Sequence, residues 1–317
     1  MYKILVTHPI HPTGMKLLAE KAIVSILSKK DHETLKEEIK QKDGVIIRIG
    51  KITKDIIEEN PNLKVIGQHG VGLDSIDMEA ANNKKIPVVY TPGANTSTVV
   101  EHTIAFLLAL AKDIRRADIN LRKNNFNYRN NVTSIDLHGK TLGILGYGQI
   151  GSLVANKCKD LFGMEVIVYE TFQPIENIKF KCYKDMDEIF RKADFVSIHL
   201  RLNRETQGLI TLKHLKLLGK NGYLINCARG AIVNQEDLTK ALKTNTIAGA
   251  AIDVFEQEPP NVSDELFSCD NLIVTPHIAA LTQECFERMS VMVAKGVIGV
   301  LDGTIPENVA NKEYLRS

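Results

Sequence analysis

The sequence has no long apolar run, little net charge and few cysteines, and each shortage excludes a class of protein. The longest apolar segment, residues 103–111, is far shorter than the ~20 residues of a bilayer-spanning helix. The 40 Lys and Arg residues nearly balance the 38 Asp and Glu residues, and the net charge of +2 is not concentrated in blocks. The first residues are typical of a strand and lack the cleavage pattern of a signal peptide. We therefore expect neither a nucleic-acid partner nor a membrane segment.

The cysteine content indicates a reducing compartment. The chain contains five cysteines, at positions Cys158, Cys182, Cys227, Cys269 and Cys285. An odd number without CxxC spacing argues against a disulfide framework and favours a cytoplasmic protein. His8 and His11 are residues of a type that can bind a metal ion. Because no cluster of further ligands accompanies them, we interpret them as a turn after the first strand and predict no metal site.

The length and the order of the local patterns predict two α/β domains. A chain of 317 residues corresponds to two domains at ~150 residues each. Strand-like and helix-like segments alternate over the first hundred residues and again from residue 141, which is typical of parallel sheets covered by helices. The strand-like segments are 3–7, 44–49, 63–67 and 87–90, then 141–145, 165–169, 195–199, 223–226, 248–252 and 272–274. The second series predicts a six-stranded doubly wound sheet of the Rossmann type.

Two apolar segments with helical spacing lie outside these series. Residues 98–120 are long enough for one helix that joins the domains, and the pattern fits packing on a partner subunit as well as burial within one chain. Residues 289–301 form another predicted helix, through which the chain can return to the first domain.

A glycine-rich turn predicts a dinucleotide site. Gly146-Tyr147-Gly148-Gln149-Ile150-Gly151 stands between a predicted strand and a predicted helix. Gly146 suits a tight turn, Gly148 a close approach of pyrophosphate, and Gly151 close packing of helix on strand. The N–H groups of Gln149 and Ile150, at the helix start, are then available to phosphate.

An acidic residue after the second strand of this domain favours NAD over NADP. Glu170 lies 19 residues beyond Gly151, where a carboxylate accepts hydrogen bonds from the adenosine ribose. A 2′-phosphate would be repelled there, and the following Thr171-Phe172-Gln173 offers no arginine. A solvated loop acid is the alternative interpretation.

Three side chains beyond strand ends match the needs of 2-keto acid reduction. Arg229 suits the anchoring of a substrate carboxylate, because a guanidinium binds it with two parallel hydrogen bonds. His277 titrates near ~6.5 as a free group and suits proton transfer. Glu258 beside it would stabilise the imidazolium. Each residue alone fits an ordinary surface or structural role, but ends of strands in one sheet converge on one crevice.

The chain resembles the D-isomer-specific 2-hydroxyacid dehydrogenases over nearly its whole length. The phosphoglycerate dehydrogenase and glyoxylate/hydroxypyruvate reductase branches are the most similar. The resemblance rests on these stretches: Gly67-Gln68-His69-Gly70-Val71-Gly72-Leu73-Asp74, Thr91-Pro92-Gly93-Ala94-Asn95-Thr96, Glu101-His102-Thr103-Ile104-Ala105, Ala228-Arg229-Gly230, Asp253-Val254-Phe255, Glu258-Pro259 and Thr275-Pro276-His277-Ile278.

The resemblance implies a division of the chain and a set of roles. It implies a flavodoxin-like substrate domain from residues 1–97 and 290–317, an NAD domain from 98–289, and homodimers formed through the NAD domain. Arg229 would bind substrate, Glu258 would tune His277, and His277 would be the acid/base. Further candidates are implied for cofactor (Cys227, Ala228, Asp253 at the nicotinamide carboxamide, Ala280) and for substrate (Val71 and Gly72 through backbone N–H groups, and Asn95).

The expected activity is NAD-dependent interconversion of a D-2-hydroxy acid and its 2-keto acid, most similar to phosphoglycerate dehydrogenase. Glyoxylate/hydroxypyruvate reductase is the alternative, and an NAD-sensing corepressor is the alternative from another class. Glu258 argues against formate dehydrogenase, which needs no proton relay. Arg48, with Lys51 nearby, is a candidate for a second negative group of the substrate or a solvated charge. Little chain follows the return helix, so we expect no regulatory serine-binding domain.

Some positions depart from the family pattern without removing a catalytic group. Arg201 stands where proline is frequent, Asn234-Gln235 where Asp-Glu is frequent, and Leu281 where small residues are usual. These changes weaken the assignment to one branch.

Overall fold

The chain folds into two compact units. The computed structural model describes residues 1–131, 134–171 and 175–315. The first unit joins Met1–Asn95 to Ala280–Ser317, and the second is Thr96–Ala279. The predicted division returns the chain to the first unit at residue 290, ten residues later than the structure does. The reason is local packing, since Arg288 Nε already donates to the carbonyl of Ala94, 3.1 Å away, within the first unit.

The first unit is built on a five-stranded parallel sheet with the order β2-β1-β3-β4-β5. Its strands and connecting helices are β1 (Tyr2–Val6), α1 (Pro12–Ala19), β2 (Ala22–Ile26), α2 (His32–Glu38), β3 (Gly44–Ile47), α3 (Lys54–Glu58), β4 (Val65–Gln68), α4 (Met78–Asn83) and β5 (Val88–Val89). This is the flavodoxin-like order, so the predicted architecture is confirmed. The prediction missed β2, an edge strand whose residues are mostly partly exposed.

Two helices replace the single long helix predicted at the start of the second unit. They are α5 (Thr96–Ala111) and α6 (Ile114–Arg122). The chain turns between them at Asp113, which has a left-handed φ of 52°. Half of α5 is buried, including Val100, Thr103 and Leu107, whereas α6 buries no residue. Burial within one chain therefore explains α5 but not α6.

The sheet of the second unit has seven parallel strands in the order β12-β11-β10-β9-β6-β7-β8. Its elements are β6 (Thr141–Leu145), α7 (Gln149–Phe162), β7 (Glu165–Tyr169), β8 (Lys181–Tyr183), α8 (Met186–Lys192), β9 (Phe195–Ile198), α9 (Leu212–Leu218), β10 (Tyr223–Asn226), α10 (Gln235–Lys243), β11 (Gly249–Ile252) and β12 (Leu272–Val274). The predicted Rossmann sheet is confirmed, with β8 as a short edge strand that the sequence pattern did not reveal. Buried apolar clusters cover both faces, as parallel sheets require.

The chain ends in α11 (Gln283–Leu301) and α12 (Lys312–Leu315). α11 packs on α1 and β4 of the first unit. Gly67 in β4 permits this, because a Cβ there would lie 2.7 Å from Val297 and 2.9 Å from Val293. Among the described residues, no helix combines the length and the apolar character needed to cross a membrane.

Candidate active site

The three predicted catalytic residues lie just beyond the ends of three neighbouring strands. Arg229 follows β10, Glu258 follows β11 and His277 follows β12. The strands are parallel and their last residues are level, with Asn226 paired to Ile252 and Ile252 to Val274. The carboxyl ends of the strands in such a sheet form the crevice where ligands bind. All three side chains therefore belong to one edge of one sheet.

Glu258 and His277 form a direct pair. His277 Nδ1 lies 2.7 Å from Glu258 Oε2. The other carboxylate oxygen, Oε1, accepts a hydrogen bond of 3.1 Å from the N–H of Phe255, which fixes the carboxylate against its own loop. Because Nδ1 is engaged by Glu258, Nε2 is the ring nitrogen left for proton exchange with a substrate.

The pair shifts both pKa values in the directions that general acid catalysis needs. The hydrogen bond to Glu258 raises the pKa of His277 against the opposing effect of burial, and the charge of Asp253 adds to the rise. Burial would raise the pKa of Glu258, but the hydrogen bonds from His277 and Phe255 N–H and the charge of Arg229 hold it below its usual value. The carboxylate thus stays ionised and stabilises the imidazolium.

The loop that carries Arg229 is held against the loop that carries Glu258. The buried Asn226 side chain donates to the carbonyl of Arg229 at 3.0 Å and accepts from the N–H of Ala228 at 3.0 Å. Gly230 allows backbone to touch backbone, since a Cβ there would lie 1.9 Å from the carbonyl carbon of Phe255. The positive charge of Arg229 acts on both Glu258 and His277. The structure therefore brings the three residues together.

Asp253 holds the turn on which His277 stands, a role that the sequence did not reveal. Its carboxylate is about 1% exposed. Oδ1 accepts from the N–H of Ile278 at 2.8 Å, and Oδ2 accepts from the N–H of Ala279 at 2.8 Å. The carbonyl of Asp253 accepts from the N–H of His277 at 2.8 Å. These bonds stabilise a turn in which His277 adopts a left-handed φ of 54°. The contact with a nicotinamide carboxamide, implied by the resemblance, stays a prediction.

A partly buried chain of hydrogen bonds ties this turn to α5. The Thr275 hydroxyl donates to Asp253 Oδ1. Because that hydroxyl has one proton, it accepts from His102 Nε2, which is 3.1 Å away. The ring of His102 packs edge-on against Phe106 with centroids 4.5 Å apart. No sequence signal for this link exists beyond the presence of His102 in a family signature.

The glycine-rich turn has the geometry that a dinucleotide requires. Gly146 has a left-handed φ of 94°, and a Cβ there would lie 2.8 Å from the backbone of His199. A Cβ on Gly151 would lie 2.0 Å from the carbonyl oxygen of Gly146, so only glycine lets α7 start this close to β6. A Cβ on Gly148 would meet nothing within 4 Å. The open space beside Gly148 and the start of α7 at Gln149-Ile150 fit a pyrophosphate.

Glu170 lies against this turn. Its Oε2 accepts a hydrogen bond of 2.6 Å from the N–H of Tyr147, and its Oε1 accepts one of 2.8 Å from the N–H of Thr171. An acid at the end of β7, next to the glycine-rich turn, fits the ribose of a dinucleotide. Phe172 and Gln173, which follow this acid and offer no arginine to a 2′-phosphate, lie outside the described residues.

The other cofactor candidates fall in both units. Cys227 and Ala228 lie in the loop after β10, and burial raises the pKa of the Cys227 thiol to about 12, so it stays protonated. Ala280 begins the return segment of the first unit and packs beside Cys285 and Met289. Within the described ranges, no group of three or more His, Cys, Asp or Glu side chains is placed to hold a metal ion.

The substrate candidates of the first unit share the carboxyl edge of its sheet. Arg48 follows β3, and Val71 and Gly72 follow β4, which pairs with β3 through Ile47 and Gln68. Asn95 is the last residue before the second unit begins. Arg48 and the Val71-Gly72 segment therefore follow neighbouring strands at the same edge of the first sheet, and a guanidinium is a group that binds anionic substrates.

Comparison with known proteins identifies the family. Residues 104–279 match the family model described as D-isomer specific 2-hydroxyacid dehydrogenase, NAD binding domain. The chain belongs to this family. The predicted resemblance is thereby confirmed, and the second unit of this 2-hydroxyacid dehydrogenase family member is its NAD-binding domain.

Similar proteins in the family carry two kinds of name. The chain is 40% identical over 315 residues to D-3-phosphoglycerate dehydrogenase of Methanocaldococcus jannaschii. The matched residues make up 98% of this chain but only 60% of that protein. It is 38% identical over 328 residues to glyoxylate reductase of Thermofilum pendens, and this match covers 99% of the chain and 96% of that protein. A solved NADPH-dependent glyoxylate/hydroxypyruvate reductase of Sinorhizobium meliloti, in complex with NADP and malonate, superposes with a TM-score of 0.89 at 27% identity, covering 98% and 97%.

Proposed function

We propose that this protein is an NAD-dependent dehydrogenase that interconverts a D-2-hydroxy acid and its 2-keto acid. The observation that carries the proposal is the Glu258–His277 pair, 2.7 Å apart, on the sheet edge that also carries Arg229. A protein that only senses NAD has no use for an imidazole with a raised pKa beside a fixed guanidinium. An enzyme that works by acid/base catalysis needs such an imidazole to transfer a proton.

The residues divide the reaction among them. A bound dihydronicotinamide supplies the hydride to the carbonyl carbon. Arg229 binds the substrate carboxylate and polarises the carbonyl, and His277 Nε2 gives its proton to the carbonyl oxygen. Glu258 keeps His277 protonated until that transfer. In the direction of oxidation, neutral His277 removes the proton of the hydroxyl group.

The cofactor we propose is NAD rather than NADP. Support comes from Glu170, whose carboxylate at the end of β7 would repel a 2′-phosphate. The related reductase of Sinorhizobium meliloti was solved with NADP, so family membership alone does not decide this preference.

The substrate we propose is similar to that of phosphoglycerate dehydrogenase, which would assign the protein to serine biosynthesis. The relative from Methanocaldococcus jannaschii and the guanidinium of Arg48 on the first unit support this proposal. Glyoxylate or hydroxypyruvate reduction is the second candidate, because the glyoxylate reductase of Thermofilum pendens matches this chain over nearly its full length. The unpaired state of the five cysteines supports a cytoplasmic location.

A homodimer formed through the second unit is part of the proposal. Ile114 and Leu121 on α6 are 55% and 58% exposed, and nearby Phe126 is 63% exposed. Apolar side chains grouped on a helix with no buried residue indicate an interaction surface. Light scattering on the purified protein and on Leu121→Asp should give the mass of a dimer for the first and of a monomer for the second. A monomeric wild-type protein would contradict the proposal.

The activity is tested by following NADH absorbance with phosphohydroxypyruvate, hydroxypyruvate, glyoxylate and pyruvate in turn. We expect turnover with at least one of these acids. His277→Ala should lose at least about a hundredfold in kcat while its NADH affinity, measured by fluorescence titration, stays within about twofold. Equal turnover in His277→Ala and wild type would refute the assigned role.

A further inference from the structure

His102 on α5 is directed at the turn that carries His277, and the proposed reaction gives it no role. Its Nε2 lies 3.1 Å from the hydroxyl of Thr275 and 3.9 Å from Oδ1 of Asp253. The side chain of His102 is 21% exposed and that of Asp253 about 1%. All four residues belong to the second unit. A histidine in this place can act on His277 only through the residues between them.

The donors along this chain of hydrogen bonds are ordered by the carboxylate at its end. Asp253 Oδ1 accepts from the hydroxyl of Thr275 and from the N–H of Ile278. A hydroxyl has one proton, and here that proton is donated to the carboxylate, so the lone pairs of the Thr275 oxygen remain for His102. His102 must then donate, which assigns a proton to its Nε2. Thr275 thus links a donor on a helix to an acceptor under the turn.

The helix α5 holds this donor in place. It packs on β10 and β11 of the sheet. Phe106, one turn after His102, is buried in the same apolar cluster as Ile225 of β10 and Ala251 of β11. Its ring lies edge-on to that of His102 with the centroids 4.5 Å apart. The imidazole is therefore restricted by a packed neighbour as well as by its hydrogen bond.

The turn of His277 needs such restriction because its backbone is strained. His277 has a left-handed φ of 54°, which crowds an L-residue against the backbone. Strained residues persist only where the surrounding structure fixes them. Here the Asp253 carboxylate does so, by accepting from the N–H groups of the two residues that follow His277. The last torsion of an aspartate is broad, so the Thr275 hydroxyl, held by His102, limits how far the carboxylate rotates.

We propose that His102 is a positioning residue for the proton transfer of His277. Through Thr275 it fixes the Asp253 carboxylate, and that carboxylate fixes the turn on which His277 stands. This inference depends on the proposed function. A misplacement of about 1 Å can lower a rate about a hundredfold. Loss of the donor should therefore lower kcat and leave KM for the keto acid unchanged, because the substrate carboxylate is assigned to Arg229 and not to this turn.

Hydrogen exchange of backbone amides tests the link without any turnover. NMR on the free protein follows the N–H groups of Ile278 and Ala279 in wild type, His102→Leu and His102→Gln. Leucine removes the donor and keeps much of the bulk, so both amides should exchange at least about tenfold faster. Glutamine places a donating nitrogen near the position of Nε2, and its rates should stay within about threefold of wild type.

An amide in the middle of the sheet shows whether the effect is local. Val196 of β9 is fully buried, and its exchange should be the same in wild type and His102→Leu. Equal acceleration at Val196 and Ile278 would mean general destabilisation and would overturn the inference. His138→Gln removes an exposed imidazole of the same unit and should change neither the exchange rates nor kcat.

A double-variant cycle tests whether His102 acts through Thr275. The reductive kcat and KM are measured with NADH and a reactive 2-keto acid in His102→Leu, Thr275→Val and the double variant. Each single variant should lower kcat at least about tenfold and keep KM within about twofold. The double variant should stay within about threefold of the slower single variant, since both substitutions break one chain of hydrogen bonds. Losses that multiply would show independent roles and overturn the inference.

Conservative variants provide the rescue. Thr275→Ser keeps the hydroxyl and His102→Gln keeps the donor, so both should retain kcat within about threefold of wild type. A loss in His102→Gln as large as that in His102→Leu would refute the role of the donor, because both replacements are similar in size.

The two kinds of measurement separate this inference from the proposed function. Faster exchange at Ile278 in His102→Leu, in a protein that reduces none of the 2-keto acids, would refute the proposed function and the catalytic consequence, and leave the hold of His102 on the turn. Turnover and exchange that are equal in His102→Leu and wild type would refute this inference alone.

Discussion

Replacing Glu258 by glutamine should move the pH dependence of the reductive reaction to lower pH. The carboxylate accepts a hydrogen bond from His277 Nδ1 over 2.7 Å, and its charge raises the pKa of the imidazole. Reduction needs protonated His277, so the rate falls as pH rises through that pKa. Glutamine keeps the shape of the side chain but removes the charge. The pKa of His277 should then fall toward or below the value of a free histidine, since burial is no longer opposed.

The size of the shift follows from the exposure of the pair. Two unit charges about 4 Å apart interact with ~1 kcal/mol in water and ~4 kcal/mol at an effective dielectric constant of 20. The side chains of His277 and Glu258 are 49% and 37% exposed, so an intermediate value of ~2 kcal/mol is appropriate. At 1.36 kcal/mol per pKa unit, we expect a shift of roughly 1.5 pH units.

The assay is kcat/KM for a reactive 2-keto acid between pH 5.5 and 9.5 at constant ionic strength, because this parameter reports the pKa of the free enzyme. Glu256→Gln is the matched control, since Glu256 is an exposed acid in the same loop and its loss changes the net charge equally. A basic limb that coincides in Glu258→Gln and wild type, or that moves equally in Glu256→Gln, would refute the reasoning.

Three other substitutions test the residues that hold the loops of the site and the residue proposed to select the cofactor. Asp253→Asn removes the charge of the carboxylate that accepts hydrogen bonds from the N–H groups of Ile278 and Ala279. We expect kcat to fall at least tenfold and Tm to drop. An active variant with unchanged Tm would show that Asp253 does not hold the turn that carries His277. Gly230→Ala should push apart two loops whose backbones touch and lower the free energy of unfolding in urea by more than about 2 kcal/mol. A decrease below about 0.5 kcal/mol would show that the two loops move apart without a substantial loss of stability. Glu170→Ala should narrow the preference for NADH over NADPH at least about tenfold in the ratio of kcat/KM values, and an unaltered ratio would exclude the ribose role.

The sequence predicted the core of the fold because its strands are buried and parallel. Strands such as β3 and β6 are nearly continuous apolar runs followed by turn residues, which is the pattern that parallel sheets produce. β2 and β8 were not predicted. Both lie at sheet edges and are partly exposed. β8 has only three residues, and β2 is apolar apart from one serine but shows no alternation of buried and exposed positions, so neither strand carries a clear period. The break at Asp113 was missed for a similar reason, since one residue in the left-handed region leaves the apolar spacing on both sides intact.

The place of the site in the fold could be predicted from the sequence, but its contacts could not. Arg229, Glu258 and His277 each follow a recognisable strand, and topology then requires that they share an edge. The residues that hold the turn of His277 could not be predicted in this way. Asp253 acts by receiving backbone N–H groups of a turn, and His102 reaches that turn from another helix through Thr275. Neither interaction leaves a period or a spacing in the sequence, because both depend on which loops the fold brings together.

The backbone conformation at His277, the histidine proposed to transfer the proton, has a consequence for the stability of variants at this position. At a φ of 54°, a side chain of any L-residue crowds the neighbouring carbonyl, and glycine avoids this crowding. Exchanging His277 for glycine should therefore yield a protein about 1 kcal/mol more stable than the alanine variant, although glycine is usually the less stabilising of the two. Selection for thermal tolerance alone would therefore favour glycine at this position, a residue that cannot carry a proton.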